Sequence, residues 1–179
     1  MNRFNDFMER YFMPIAGKMA EQRHLKAIRD GIVTTMPLLI IGSIFLIISS
    51  PPVKSWAEFM KPYAPALSIP VDATFGLLGL VAVFSIAYSL ARSYKMDELS
   101  AGVLSVAAFF VATPLTEDGN IPLNLMGSQG LFIAIVLAIF TVEVYRFFET
   151  RNIVIRMPDG VPPSVWRAFT ALIPGAVII

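Results

Sequence analysis

The sequence predicts an all-α membrane protein, and three observations carry that prediction. Its 179 residues are 56% hydrophobic and only 15% charged, with a mean hydropathy of +0.68, whereas soluble domains run nearer ~45–50% apolar and ~25% charged. The apolar residues gather in uncharged runs close to the length a helix needs to cross a hydrocarbon core, roughly 20 residues at 1.5 Å rise. Lys and Arg concentrate in alternate connecting segments, as the positive-inside rule requires of a multi-span chain. The predicted architecture is an N-terminal interfacial helix, four transmembrane helices, the start of a fifth, and a short β-hairpin in the cytosolic loop between the fourth and fifth. In domain terms these are an amphipathic, basic interface segment (1–30), a four-span bundle (31–148), a loop with the hairpin (149–167) and a truncated span (168–179).

The first element is amphipathic. Phe4, Phe7, Met8, Tyr11 and Phe12 repeat at helical spacing, while Arg3, Asp6, Glu9 and Arg10 fall elsewhere. Such a helix lies in the membrane interface or packs on other helices of the same protein. Pro14 and Gly17 interrupt it, and a basic stretch then leads to Arg29 and Asp30. The first span, Gly31–Ser50, carries no charge and ends at Pro51-Pro52, because proline lacks an N–H and disfavours helix in the residue before it. Pro37 lies inside this span, where it frees a carbonyl; a kink is the expected result.

Residues 51–72 are rich in proline and include Trp56 and Tyr63, so they read as an extramembrane connection with aromatics at headgroup level. The second span runs over 73–90. The third, 99–112, is short but contains Ser100, Ala101, Gly102, Ser105, Ala107 and Ala108, small residues that let membrane helices approach closely. A turn-rich stretch without Lys or Arg, 114–130, precedes the fourth span at 131–148. Ile153, Val154 and Ile155 followed by Pro158-Asp159-Gly160 predict the short strand and turn of the hairpin. The last run, 168–179, stays apolar to its final residue. It would cover roughly 18 Å of a roughly 30 Å core, so the sequence is expected to stop inside a fifth span of a longer protein or of a prematurely ended copy.

With the N-terminus inside, the inner segments hold Arg3, Arg10, Lys18, Arg23, Lys26, Arg29, Arg92, Lys95, Arg146, Arg151, Arg156 and Arg167. The outer segments hold only Lys54 and Lys61. A cytoplasmic N-terminus follows.

Composition also limits the chemistry. Cys is absent and His occurs once, so thiol, disulfide and histidine-cluster metal chemistry are not expected. A net charge of +1 without a basic or aromatic nucleic-acid motif argues against nucleic acid as a partner. No nucleophile–base pair, phosphate loop or cofactor motif is legible. The expected catalytic and metal residues are therefore none, and no cofactor is expected. Asp97-Glu98 and Glu117-Asp118 read as solvated helix and loop ends, and Gly76 and Gly79 as packing glycines. Glu143 is the one acid set inside an apolar run, which makes it a functional candidate; Arg146 one turn later points to an interfacial ion pair. Tyr88, Ser89 and Arg92 either face a polar cavity or end the second span with an anchoring charge.

Two long motifs add a resemblance. Residues 12–48 (FMPIAGKMAEQRHLKAIRDGIVTTMPLLIIGSIFLII) and 156–175 (RMPDGVPPSVWRAFTALIPG) resemble the membrane subunit IIC of the phosphotransferase-system (PTS) sugar permeases, in the lactose/cellobiose/diacetylchitobiose branch. The resemblance extends over the whole chain but over only about the first two-fifths of a family member. It implies a homodimeric, multi-pass protein of the bacterial inner membrane that imports a disaccharide and works with a phosphorylated IIB subunit. It also implies that the N-terminal half is the dimer scaffold and that the principal sugar site lies in the half not present, so the substrate-binding residues stay unknown and this portion alone has no expected activity. A stand-alone membrane interaction protein retaining only the dimer half is the alternative. Cellobiose, lactose and diacetylchitobiose are not distinguished.

Overall fold

The computed structural model describes residues 13, 17, 21–50, 53–155 and 160–179. The predicted interfacial helix lies outside these residues, apart from Met13 and Gly17, which are helical. The ordered elements are α1 (Arg23–Ser49), α2 (Lys54–Met60), a 3₁₀ turn, α3 (Ala64–Thr74), α4 (Leu78–Tyr94), α5 (Glu98–Ala112), the single turn α6 (Leu123–Met126), a second 3₁₀ turn, α7 (Leu131–Thr150), α8 (Pro163–Thr170) and α9 (Leu172–Ile178).

Helix α4 is the centre. It packs against α1, α5 and α7, and Ala82, Val83, Ile86, Ala87, Leu90 and Ala91 are buried on it. Its neighbours reach it through small residues: Ala27 and Gly31 on α1, Ala101 and Ala108 on α5, Ala134 and Ala138 on α7 are all buried. Without a hydrophobic driving force between helices in lipid, close backbone approach and dispersion hold such a bundle together. The rest of α1 carries large exposed apolar side chains, among them Met36, Ile40, Ile44 and Ile47. One narrow seam of α1 is packed within this chain, and its broad apolar side is left uncovered by it.

Three expectations are corrected. First, among the described residues three helical stretches, not four and part of a fifth, are long and apolar enough to cross a membrane: Arg23–Ser49, Ser55–Tyr94 and Ser128–Thr150. The 15 residues of α5 cover about 22 Å of a roughly 30 Å core. Asp97 stands at the N-cap position without a side-chain bond to the helix backbone, and Pro114 stops the helix by excluding it at Thr113, which turns extended (ψ 121°). The last run is likewise no single span, since α8 and α9 are separated at Ala171.

Second, the proline-rich connection is helical. α2, the 3₁₀ turn and α3 carry the chain almost without a break into α4, and Pro62 and Pro65 sit in the first turns of their elements. Proline is tolerated there because the N–H it lacks has no helical partner anyway. Only Pro70 is interior.

Third, there is no β-hairpin: no strand occurs among the described residues. α7 ends with Asn152 in the left-handed region (φ 55°) and the Ile153 N–H donating to the Phe148 carbonyl at 3.0 Å. Ile153, Val154 and Ile155 then find no pairing run. Beyond the turn stand Val161, Pro162 and Pro163, and two prolines cannot donate to a ladder. They open α8 instead, with proline in its first turn. The Pro158-Asp159 part of the predicted turn lies outside the described residues.

Gly79 supports the packing expectation. A methyl carbon at Gly79 would stand 2.7 Å from the Gly127 carbonyl oxygen and 2.8 Å from that of Met126. Both are backbone atoms at the end of α6 and cannot rotate away. Gly79→Ala is therefore expected to cost about 2 kcal/mol, read as a lower melting temperature in detergent; a melt equal to that of the unmodified protein would refute the contact.

Candidate functional site

Three helix ends converge at one end of the bundle. The first turn of α1 supplies Arg23 and His24, the last residue of α4 is Tyr94, and the last turns of α7 supply Glu143 and Arg146. Tyr94 is fixed by the way α4 stops: Lys95 adopts the left-handed conformation (φ 61°), and the Met96 N–H reaches back to the Ala91 carbonyl at 3.1 Å. That arrangement satisfies the terminal carbonyls and ends the helix in one turn.

Glu143 is the hub. The Tyr94 hydroxyl donates to its Oε1 at 2.5 Å, His24 Nε2 lies 2.9 Å from the same oxygen, and an Arg146 Nη1–H donates to Oε2 at 3.3 Å. An ionised carboxylate only accepts, so Nε2 of His24 carries the proton in this contact. The guanidinium carbons of Arg23 and Arg146 stand 4.5 and 4.1 Å from the centre of the Tyr94 ring, a cation–π geometry. One carboxylate thus meets one guanidinium, a phenol and an imidazole drawn from three helices, with the second guanidinium, that of Arg23, over the phenol ring. Both of its oxygens are engaged, so the cluster works as a fastener between helix ends rather than as an acid or base open to substrate.

The expected Glu143–Arg146 pair is present. His24 and Tyr94 were not expected beside it. A carboxylate in an apolar run signals that partners exist, but the spacing along the chain does not say which.

A second polar region runs along the α1–α4 seam. Asp30, Thr34, Ser85, Tyr88, Ser89 and Arg92 line a groove of about 530 Å³, with Phe84 beside them. Tyr88, Ser89 and Arg92 line this groove, and Arg92 also stands in the last turn of α4. Asp97 and Glu98 open α5, where Asp97 accepts from Ser100 at 2.5 Å. Glu117 and Asp118 are exposed. Pro37 stays within α1. No group of three His, Asp or Glu side chains able to hold a metal occurs among the described residues.

Comparison with known proteins places these features in context. Residues 29–179 match the family model described as phosphotransferase system, EIIC. The lichenan permease IIC component of Bacillus subtilis (strain 168) is 51% identical over 100% of this chain and 44% of its own length. The cellobiose-specific EIIC component of Geobacillus stearothermophilus is 49% identical with the same two coverages. In the crystal structure of the transporter ChbC, the IIC component from the N,N′-diacetylchitobiose-specific phosphotransferase system, 44% of the chain superposes on 96% of this one, with a TM-score of 0.88 and 51% identity. The chain thus spans less than half the length of the relatives it matches.

Proposed function

Because the chain belongs to the phosphotransferase system EIIC family, we propose that it is the N-terminal, scaffold part of a membrane permease that imports a disaccharide coupled to its phosphorylation by a phosphorylated IIB subunit. The observation that carries this reading is the match along the whole chain, at about half identity, to a lichenan permease and a cellobiose-specific component. The long apolar helices supply the membrane setting. A β-linked disaccharide of the cellobiose or diacetylchitobiose type is the favoured substrate, because those words stand in the names of similar proteins.

The N-terminus lies in the cytoplasm on this reading. Arg23, Lys26 and Arg29 at the start of α1 share one end of the bundle with Arg92, Lys95, Arg146 and Arg151 at the ends of α4 and α7, and excess Lys and Arg mark the inner side. The scaffold role includes the contact between two copies in a homodimer.

Sugar phosphorylation tests the reading. Vesicles holding the complete gene product and phosphorylated IIB are expected to phosphorylate cellobiose or diacetylchitobiose, and vesicles holding only residues 1–179 to phosphorylate neither. Failure of the complete protein across a panel of β-linked disaccharides including lactose would refute the permease function. Turnover by residues 1–179 alone would refute the scaffold assignment.

A further inference from the structure

We propose that the mouth of the trough between α1 and α4 is a headgroup site for an anionic phospholipid. The site lies where the charges of both helices stop. Asp30 is the last charged residue of α1, and Arg92 is the only one of α4. Inward of them the chain is uncharged, from Gly31 on α1 and from Ala91 back to Ala73 along α4. Asp30 and Arg92 line one recess together, so they mark the edge of the hydrocarbon at this end of the bundle. Lys26 stands four residues farther out on α1, about 6 Å along the axis. That distance falls within a headgroup layer of roughly 5–8 Å on each face. Lys26 lines a second recess, of about 350 Å³, with Asp30, Ser89 and Ser93. The two recesses share Asp30 and Ser89, so one trough leads from headgroup level to the apolar layer.

Charge selects the occupant's sign. Arg23, Lys26, Arg29 and Arg92 stand around the trough against Glu21 and Asp30, four cations to two carboxylates. Two of the cations are engaged. Arg29 holds Oδ1 of Asp30 at 2.8 and 2.9 Å, and Arg23 lies over the Tyr94 ring. Lys26 and Arg92 have no ion-pair partner among the described residues. They come from different helices and open onto one trough, at the level where phosphodiesters lie. A phosphodiester accepts from a guanidinium fork and from an ammonium alike, and basic recesses between membrane helices bind such headgroups.

The apolar neighbourhood points to a lipid rather than a free anion. Beside Thr34 on the trough, α1 leaves Val33, Met36 and Ile40 exposed, and Phe84 lines the inner end of the recess. Acyl chains gain contact with this surface as soon as the phosphate is seated, whereas inorganic phosphate or glycerol phosphate gains nothing from it. The site requires a membrane lipid and no sugar, so it goes beyond the permease reading and stands or falls separately from it.

The test titrates the complete gene product, in mild detergent, with phosphatidylglycerol or phosphatidylcholine and reads bound lipid by native mass spectrometry. Phosphatidylglycerol is expected to bind about tenfold tighter than phosphatidylcholine or better. Lys26→Gln and Arg92→Gln are each expected to weaken phosphatidylglycerol about fivefold, and together about 25-fold. Lys26→Arg with Arg92→Lys keeps both charges and is expected to restore most of the binding. Arg151→Gln removes a cation from the same end of the bundle but outside the trough, and is expected to leave binding within about twofold. Four results would overturn the site. They are equal binding of the two lipids, an equal loss in Arg151→Gln, unchanged binding in the double glutamine variant because another part of the protein fills the trough, and glycerol phosphate binding as tightly as the lipid. None of them depends on sugar turnover, which is measured on the same preparation.

Discussion

Gly31→Leu is expected to unseat α1 from α4 and to lower stability by about 3 kcal/mol or more. A methyl carbon at Gly31 would lie 2.6 Å from Ile86 Cγ1 and 2.7 Å from both the Cα and the N of Ile86. Two of those three atoms are backbone in the middle of the central helix, so no rotamer change relieves the clash and the helices must part. The loss extends beyond one contact, because Ala27 and Thr35 are buried on the same seam one turn to either side. Thermal melting in detergent and the monodisperse fraction after size exclusion measure it. Val33→Leu, on the exposed side of α1, is the control expected to melt normally. If Gly31→Leu also melts like the unmodified protein, the α1–α4 packing described above is wrong.

Gly31 illustrates what the sequence discloses and what it withholds. The switch there from charged to uncharged residues marks the start of a span, because bilayer thickness and charge cost act on local composition. Which face of the span meets protein is a matter of contact with Ile86, far along the chain, and no local pattern encodes it. The same division holds elsewhere. The apolar runs 31–50 and 131–148 were legible from their length, and the structure extends them to the helices Arg23–Ser49 and Leu131–Thr150. The 51–72 stretch was read as a connection from its prolines and aromatics, and its helices stayed hidden because Pro62 and Pro65 sit in first turns, where proline is tolerated. The hairpin was misread because the β-branched residues and the turn were weighed without the following prolines, which leave the strand no donor partner. At the polar cluster the pattern of Glu143 and Arg146 exposed one pair on one helix. His24 and Tyr94 come from two other helices and became visible only once α1, α4 and α7 were placed side by side.

That cluster carries the second large expected effect. Glu143→Ala leaves the Tyr94 hydroxyl and His24 Nε2 without their acceptor and places the Arg23 and Arg146 guanidiniums near one ring with no carboxylate between the helices. Truncating one member of a dry, buried ion pair costs about 3–5 kcal/mol. Here the side chains of His24 and Glu143 keep 34% and 35% of their exposure, so solvent screens the charge and the expected loss falls to about 2 kcal/mol. Glu143→Gln separates shape from charge. Its carbonyl still accepts from Tyr94 and His24, while its amide now meets the Arg146 donor, so about half the loss is expected. Tyr94→Phe removes one hydrogen bond and keeps the ring under both guanidiniums, and should cost about 1 kcal/mol. The decisive measurement is the combination of Tyr94→Phe with Glu143→Ala. If the three helix ends are held through one hub, adding Tyr94→Phe to Glu143→Ala costs almost nothing further, and the coupling energy approaches the full effect of Tyr94→Phe alone. Additive losses would mean that Tyr94 and Glu143 act separately, and that the Tyr94–Glu143 contact does not join α4 to α7.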